Sequence, residues 1–347
     1  MPWISVRRIA GTRRSAFAVL AALLFTCLPP SGLLAADPSS FSLPIRCEPG
    51  KNCWIANYVD IDAANGKVLD QACGVATYDG HRGTDFAIAD LSVMRSGVPV
   101  LAAAEGTVVG IRDGVSDAAV NSDEARTAVR NRECGNGVRI DHGNGWFTQY
   151  CHMRKGSIAV HTGDSVARGQ RIGLVGISGL AEFPHVHFQI ERDGKVIDPF
   201  VGAAPGTACG REHPLWDTAA EKTLSYEPTA IYNAGFAGTT PRVVDARDGR
   251  YRDAAIDAHS DGLVLWAEMY WVREGDRVTL TIRSPKGTVM HTRTVPIERA
   301  QARRFVYSGL RRKVEPWPAG EYAGEITLER SGKSGKRYTA TRSVLIR

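Results

Sequence analysis

Short runs of alternating apolar and polar residues, punctuated by glycine, fill most of the chain after residue 37. Alternation sends successive side chains to opposite faces of an extended strand, so one face of each run is buried. Residues 98–109 read as strand, turn and strand. Residues 137–150 read as a hairpin whose turn is His142-Gly143-Asn144-Gly145. Residues 169–175 and 185–190 are further strands. The exception is 122–132, a polar, charged piece expected to form a short surface helix inserted between strands and flanking a cleft.

Beyond residue 229 the pattern changes to longer strands. Residues 263–272 form a hydrophobic run, and Val278, Leu280 and Ile282 alternate with Thr279, Thr281 and Arg283. Residues 305–307, 322–328 and 338–346 follow, with turns at Pro285-Lys286-Gly287, Pro318-Ala319-Gly320 and 331–335. Short strands at this spacing predict a small antiparallel, Ig-like β-sandwich over 229–347. The fold class is therefore mostly β: an antiparallel sheet domain at 37–210, a connector at 211–228 carrying Pro214 and Trp216, and the sandwich. Every candidate ligand lies before residue 190, so the chemistry is expected to need only the first domain.

The N-terminus changes how the charge is read. The formal net charge is +6, but Arg7, Arg8, Arg13 and Arg14 supply four of those charges, and no acidic residue precedes Asp37. These arginines, the apolar run 16–25 and the small pair Ala35-Ala36 read as a signal peptide over 1–36. The run falls short of the ~20 residues of a membrane span, and no later stretch qualifies. The remaining chain is close to neutral, so bulk charge gives no case for nucleic acid. An exported protein, periplasmic or extracellular, is expected. Of seven cysteines, Cys27 would leave with the leader. The other six, all before residue 210, then predict three disulfides. Proximity suggests Cys47–Cys53 and Cys134–Cys151, which leaves Cys73–Cys209 to close the domain.

Three segments carry candidate chemistry: His81-Arg82-Gly83-Thr84-Asp85, Tyr150-Cys151-His152 and His185-Val186-His187. His185 and His187 share a strand face, since residues two apart project to the same side. His81 and Asp85 lie in a glycine-rich loop feeding a strand. A catalytic zinc site takes three protein ligands and leaves a position for water. His-x-x-x-Asp and His-x-His offer four groups, and His152 a fifth. The remaining histidines (His142, His161, His213, His259 and His291) sit in turns or polar contexts and read as solvated. The basic run Arg303, Arg304, Arg311, Arg312 and Lys313 likewise reads as a solvated face. Gly332-Lys333-Ser334 lacks the upstream glycine of a phosphate loop and reads as a turn.

In order, spacing and surroundings these segments resemble the lysostaphin or LytM-type zinc endopeptidases, the twenty-third metallopeptidase family. The resemblance covers about residues 70–202, including Asp85-Phe86-Ala87 and Phe188. It implies an antiparallel β fold with a groove, one Zn2+ held by His81, Asp85 and His187, and His152 and His185 as catalytic histidines. It implies hydrolysis of peptide cross-links in bacterial peptidoglycan, with stem peptides or cross-bridges as the partner. The alternatives are an inactive wall-binding or hydrolase-activating relative, or a zinc peptidase acting on another protein. Two departures stand beside the site: Gly179-Leu180-Ala181-Glu182-Phe183-Pro184 replaces the family's polar lead before His-x-His, and Gln189 stands where Glu is common. They bear on substrate preference.

Overall fold

The hairpin at 137–150 forms where Asn144 and Gly145 both take positive φ, 49° and 79°, the conformation a tight two-residue turn requires. Its strands are β5 and β6 of a larger sheet. In the computed structural model, which describes residues 38, 40–206, 209–210, 213–252, 255–313, 316–332 and 335–347, the chain runs through seventeen strands and four short helices among those residues. The expected leader, with Cys27, lies outside the described residues.

The first ten strands are β1 (Trp54–Asn57), β2 (Thr84–Ala87), β3 (Pro99–Leu101), β4 (Gly106–Arg112), β5 (Asn136–Gly143), β6 (Trp146–Met153), β7 (Ser165–Val166), β8 (Arg171–Leu174), β9 (His185–Arg192) and β10 (Lys195–Ile197). Eight of them form one antiparallel sheet in the order β1-β2-β9-β6-β5-β4-β7, with β10 paired to β9; β3 and β8 pair separately. One face of the central strands is packed on a core that includes Phe86, Val186, Phe188, Ile190, Tyr150 and Ile140. Trp216, placed in the expected connector, is only 3% exposed and packs against Phe86, Phe188 and Phe200. The connector also holds a helix, Thr218–Thr223, capped by Asp217.

The other seven strands are β11 (Ala230–Ala237), β12 (Gly262–Val272), β13 (Arg277–Arg283), β14 (Val289–Pro296), β15 (Gln301–Arg311), β16 (Gly320–Glu329) and β17 (Arg337–Ile346). They form two antiparallel sheets, β11-β12-β15 and β14-β13-β16-β17. Both sheets contribute to a second core, with Leu263 and Leu265 from one and Leu280, Ile282, Tyr322 and Ile326 from the other. The alternation read at 278–283 is observed: Val278, Leu280 and Ile282 are buried and the residues between them are not.

The two cores are joined by specific polar contacts. The Trp271 indole donates to the Ala56 carbonyl at 2.6 Å, Arg252 pairs with Asp90 at 2.6 Å, and Arg303 pairs with Glu182 at 2.9 Å. All three expected disulfides are present: Cys47–Cys53, Cys73–Cys209 and Cys134–Cys151. The expected helix is Asp123–Ala128, N-capped by Ser122; it is shorter than the polar stretch that suggested it. Among the described residues no helix is long and apolar enough to cross a membrane.

Candidate metal centre

Sheet register assembles the site. Asp85 on β2 is paired with His187 on β9, and Asn57 on β1 is paired with Asp85. Paired residues project to one face, and His185 shares that face because it lies two residues from His187. The opposite face carries Val186 and Phe188 into the core. The pattern His-Val-His-Phe thus does two jobs: apolar residues anchor the strand while imidazoles line the groove.

Five groups converge. Nε2 of His81, Oδ1 of Asp85 and Nδ1 of His187 lie within 4.8 Å of one another, with Nδ1 of His187 2.9 Å from Oδ1 and 3.2 Å from Nε2 of His81. Nε2 of His185 is 3.6 Å from the same carboxylate oxygen. The His152 ring lies 4.6 Å from that of His185 and 5.9 Å from that of His187, centroid to centroid.

Backbone carbonyls set the tautomers. Nδ1 of His81 donates to the Tyr58 carbonyl at 2.6 Å, Nδ1 of His152 to Ser178 and Nδ1 of His185 to Phe183, both at 2.8 Å. A carbonyl only accepts, so each of these Nδ1 atoms carries a proton, and in the neutral imidazole each Nε2 is left with its lone pair. Oδ2 of Asp85 accepts from the Asn57 amide at 2.7 Å, which leaves Oδ1 for the centre. The result is a close group of acceptors of the N, O, N kind that suits a divalent metal, and a cation relieves their mutual repulsion.

Electrostatics follow burial. For His81, burial disfavours the imidazolium, but the Asp85 carboxylate outweighs it and raises the pKa. For Asp85, burial opposes ionisation, and the surrounding histidines overcome it and hold the carboxyl well below the usual range. For His152 and His185 burial outweighs the pull of the same carboxylate and lowers both pKa values, with neighbouring imidazoles adding to the effect, most strongly at His152.

His152 reaches the site by breaking the strand pattern. Tyr150 and Cys151 alternate regularly opposite Phe188 and His187. Continued alternation would send His152 to the core. Its φ of 60° lies in the left-handed region, costly for a residue with a Cβ, and a register shift between Asn136 and Val138 accompanies it. The backbone turns the ring toward His185 instead.

Gly83 makes a different allowance. A Cβ there would meet Cε1 and Nε2 of His187 at 2.6 Å and the Phe188 carbonyl at 2.7 Å. Only glycine lets the loop pass beneath the His187 ring.

The structure therefore brings together all five residues singled out in the sequence. It also corrects other readings. His142 is buried, 3% exposed, with Nδ1 at 2.5 Å from the Glu105 carbonyl and Nε2 at 2.8 Å from Thr148. His291 is half-buried and bonds Ser308 at 2.7 Å, whereas His161, His213 and His259 are exposed as expected. The Arg303 side chain is only 14% exposed. Its guanidinium lies 5.2 Å from the Phe183 ring, which in turn lies 4.7 Å from His185. Sequence reasoning missed Asn57, Gly83 and this contribution of β15; the tight glycine in His-x-Gly-x-Asp was the one signal available.

Residues 79–199 match the model of Peptidase family M23, so the segment bearing all five site residues is a domain of that family. A relative named "Uncharacterized metalloprotease" from Haemophilus influenzae is 30% identical over 130 residues, covering 38% of this chain and 22% of its own length. "Peptidoglycan DD-endopeptidase ShyA" from Vibrio cholerae is 34% identical over 125 residues, covering 36% of this chain and 23% of its own. The chain thus spans about a quarter of the length of these relatives. Among solved structures, a zinc containing peptidase from Vibrio cholerae is 25% identical with a TM-score of 0.27, over 42% of this chain and 39% of that one.

Proposed function

We propose that the protein is an exported zinc endopeptidase that hydrolyses peptide cross-links of bacterial peptidoglycan. The observation that carries this reading is the convergence of His81, Asp85 and His187 beside two further histidines whose Nε2 atoms are left as acceptors. The family of the segment and a relative named as a peptidoglycan endopeptidase support it. The leader-like N-terminus and three disulfides support export.

In this reading His81, Asp85 and His187 hold one Zn2+, which when bound supplies Lewis-acid activation of water and of the peptide carbonyl. His152 and His185 are the catalytic histidines. Burial keeps both neutral near pH 7, so each accepts a proton at Nε2, and the imidazolium so formed then donates to the developing oxyanion or leaving amine. The carbonyls of Ser178 and Phe183 hold the rings in that tautomer throughout. Residues 37–210 form the peptidase domain, 211–228 a connector and 229–347 an accessory sandwich.

Incubation of the zinc-loaded protein with purified peptidoglycan, followed by mass spectrometry of the soluble fragments, tests this. Released cross-link fragments that disappear with chelator and return with zinc are expected. Intact cross-links after exposure to metal-loaded, folded protein would overturn it.

A further inference from the structure

The groove beside His152 and His185 is closed on its far side by the C-terminal sandwich. A cavity of about 320 Å3 has Asp85, His152 and His185 along one wall and Tyr270, Trp271 and Arg303 along the other. Tyr270 on β12 and Arg303 on β15 are direct register partners, so their side chains emerge on one face. Neither belongs to the segment that matches the peptidase family.

Two donors on this wall lack a partner. Among the described residues the Tyr270 hydroxyl and Nη1 of Arg303 are buried with no hydrogen bond, and Tyr270 is only 2% exposed. Buried donors are almost always satisfied, and an unsatisfied pair on a cavity wall next to a reactive centre calls for an acceptor from outside. Charge narrows the choice. Arg303 is shared with Glu182 at 2.9 Å, but Arg126, exposed on the inserted helix at the same cavity, has no salt bridge among the described residues. Asp85 is engaged with the imidazoles of His81 and His187. With Glu182 taken up by Arg303, Arg126 is the guanidinium left without a carboxylate partner among the described residues, and the guanidinium fork suits a carboxylate.

We propose that Tyr270 and Arg303 of the sandwich, with Arg126 of the inserted helix, form a subsite that binds a free carboxylate of the peptide substrate adjacent to the cleaved bond. This rests on the peptidase reading above and adds a specificity determinant that the family segment does not contain. The stack running from Arg303 over Phe183 to His185 and His152 makes the subsite continuous with the catalytic histidines.

The test uses a cross-linked peptide dimer with a free carboxylate on the residue after the scissile bond, and the same dimer with that group as a carboxamide. Binding to the full chain is measured by calorimetry, and turnover separately. The acid should bind about tenfold more tightly than the amide, as a charge-assisted contact warrants. Arg303→Gln and Arg126→Gln should each bring the ratio toward one, with metal content unchanged. Tyr270→Phe should weaken acid binding while leaving the thermal midpoint equal or higher, because the lost hydroxyl had no partner. Arg126 is exposed, so its variant folds even if that of Arg303 does not. Equal affinity of the wild type for acid and amide overturns the proposal, as does a ratio that survives all three substitutions. Tight, carboxylate-dependent binding with no turnover of either dimer would overturn the peptidase reading and leave the subsite standing.

Discussion

Asp85 and His187 are register partners on adjacent antiparallel strands, and Oδ1 of Asp85 lies 2.9 Å from Nδ1 of His187. Two of the three candidate metal-site groups are therefore set by the backbone ladder and not by loop conformation. His81 is held separately, by the Tyr58 carbonyl. Such preorganisation predicts which side chains the metal needs and which it does not.

His187→Ala removes a ligand and should release the metal, because two remaining groups cannot hold its geometry. His185→Ala and His152→Ala should keep near-stoichiometric zinc and lose turnover by ~10²-fold or more, as for a missing proton-transfer group. Zinc content after dialysis, read beside turnover for each variant, decides this. Zinc lost from His185→Ala but retained by His187→Ala would reverse the assignment.

Gly83→Ala should damage the same site without touching a ligand. The added methyl would sit 2.6 Å from the His187 ring and 2.7 Å from a backbone carbonyl, so one of them must move. Disturbing the support of a metal-site side chain typically costs roughly 10–100-fold in affinity, so zinc binding should weaken by about tenfold or more, or about 1.4 kcal/mol at least. Competition with a chromogenic chelator measures it; an unchanged affinity would mean the loop yields instead of the ligand.

His142 gives a pH signature away from the metal. Burial lowers its pKa, with the Glu105 carbonyl opposing. A histidine held neutral in the fold but free to protonate when unfolded stabilises the unfolded chain as pH falls below its ordinary value near 6.5. Its contribution is thus retained above that value and lost on acidification toward the lowered folded pKa. Urea unfolding at pH 7.5 and 5.5 should show a smaller acid loss for His142→Gln than for wild type. Identical losses would exclude His142 as a source of acid sensitivity.

The Cys73–Cys209 bond closes a loop of sequence separation 136. In the chain-entropy account a loop of that length contributes roughly 5 kcal/mol, and removal of native bridges typically costs 2–5. A Cys73→Ser, Cys209→Ser double variant should lower the urea midpoint accordingly. Thiol titration of the denatured wild type after removal of the leader should find none free; two or more would contradict the three-bridge pattern.

The ligand set was legible because its residue types are rare and its spacings match strand geometry. His185 and His187 two apart and His81 and Asp85 four apart in a glycine loop need no long-range information to be singled out. The strand content was legible for the same local reason, as at Val278, Leu280 and Ile282. His152 could be nominated by its neighbours but not oriented, because a left-handed residue that reverses its facing leaves no mark in the alternation. The burial of Trp216 and Arg303, and the place of Tyr270 at the cavity, depend on contacts between residues far apart in the chain. His142 was misread because a histidine next to a glycine turn looks solvated until Thr148 and Glu105 are brought to it.

The bridge between Cys134 and Cys151 has a meaning beyond covalent support. Cys151 is the register partner of His187 on the strand opposite Asp85, so its sulfur belongs to the neighbourhood of the metal centre. A thiolate there would be a soft, strongly competing zinc donor, whereas a disulfide sulfur is not. If the centre holds zinc as proposed, the Cys134–Cys151 bond keeps that donor out of the competition for the ion.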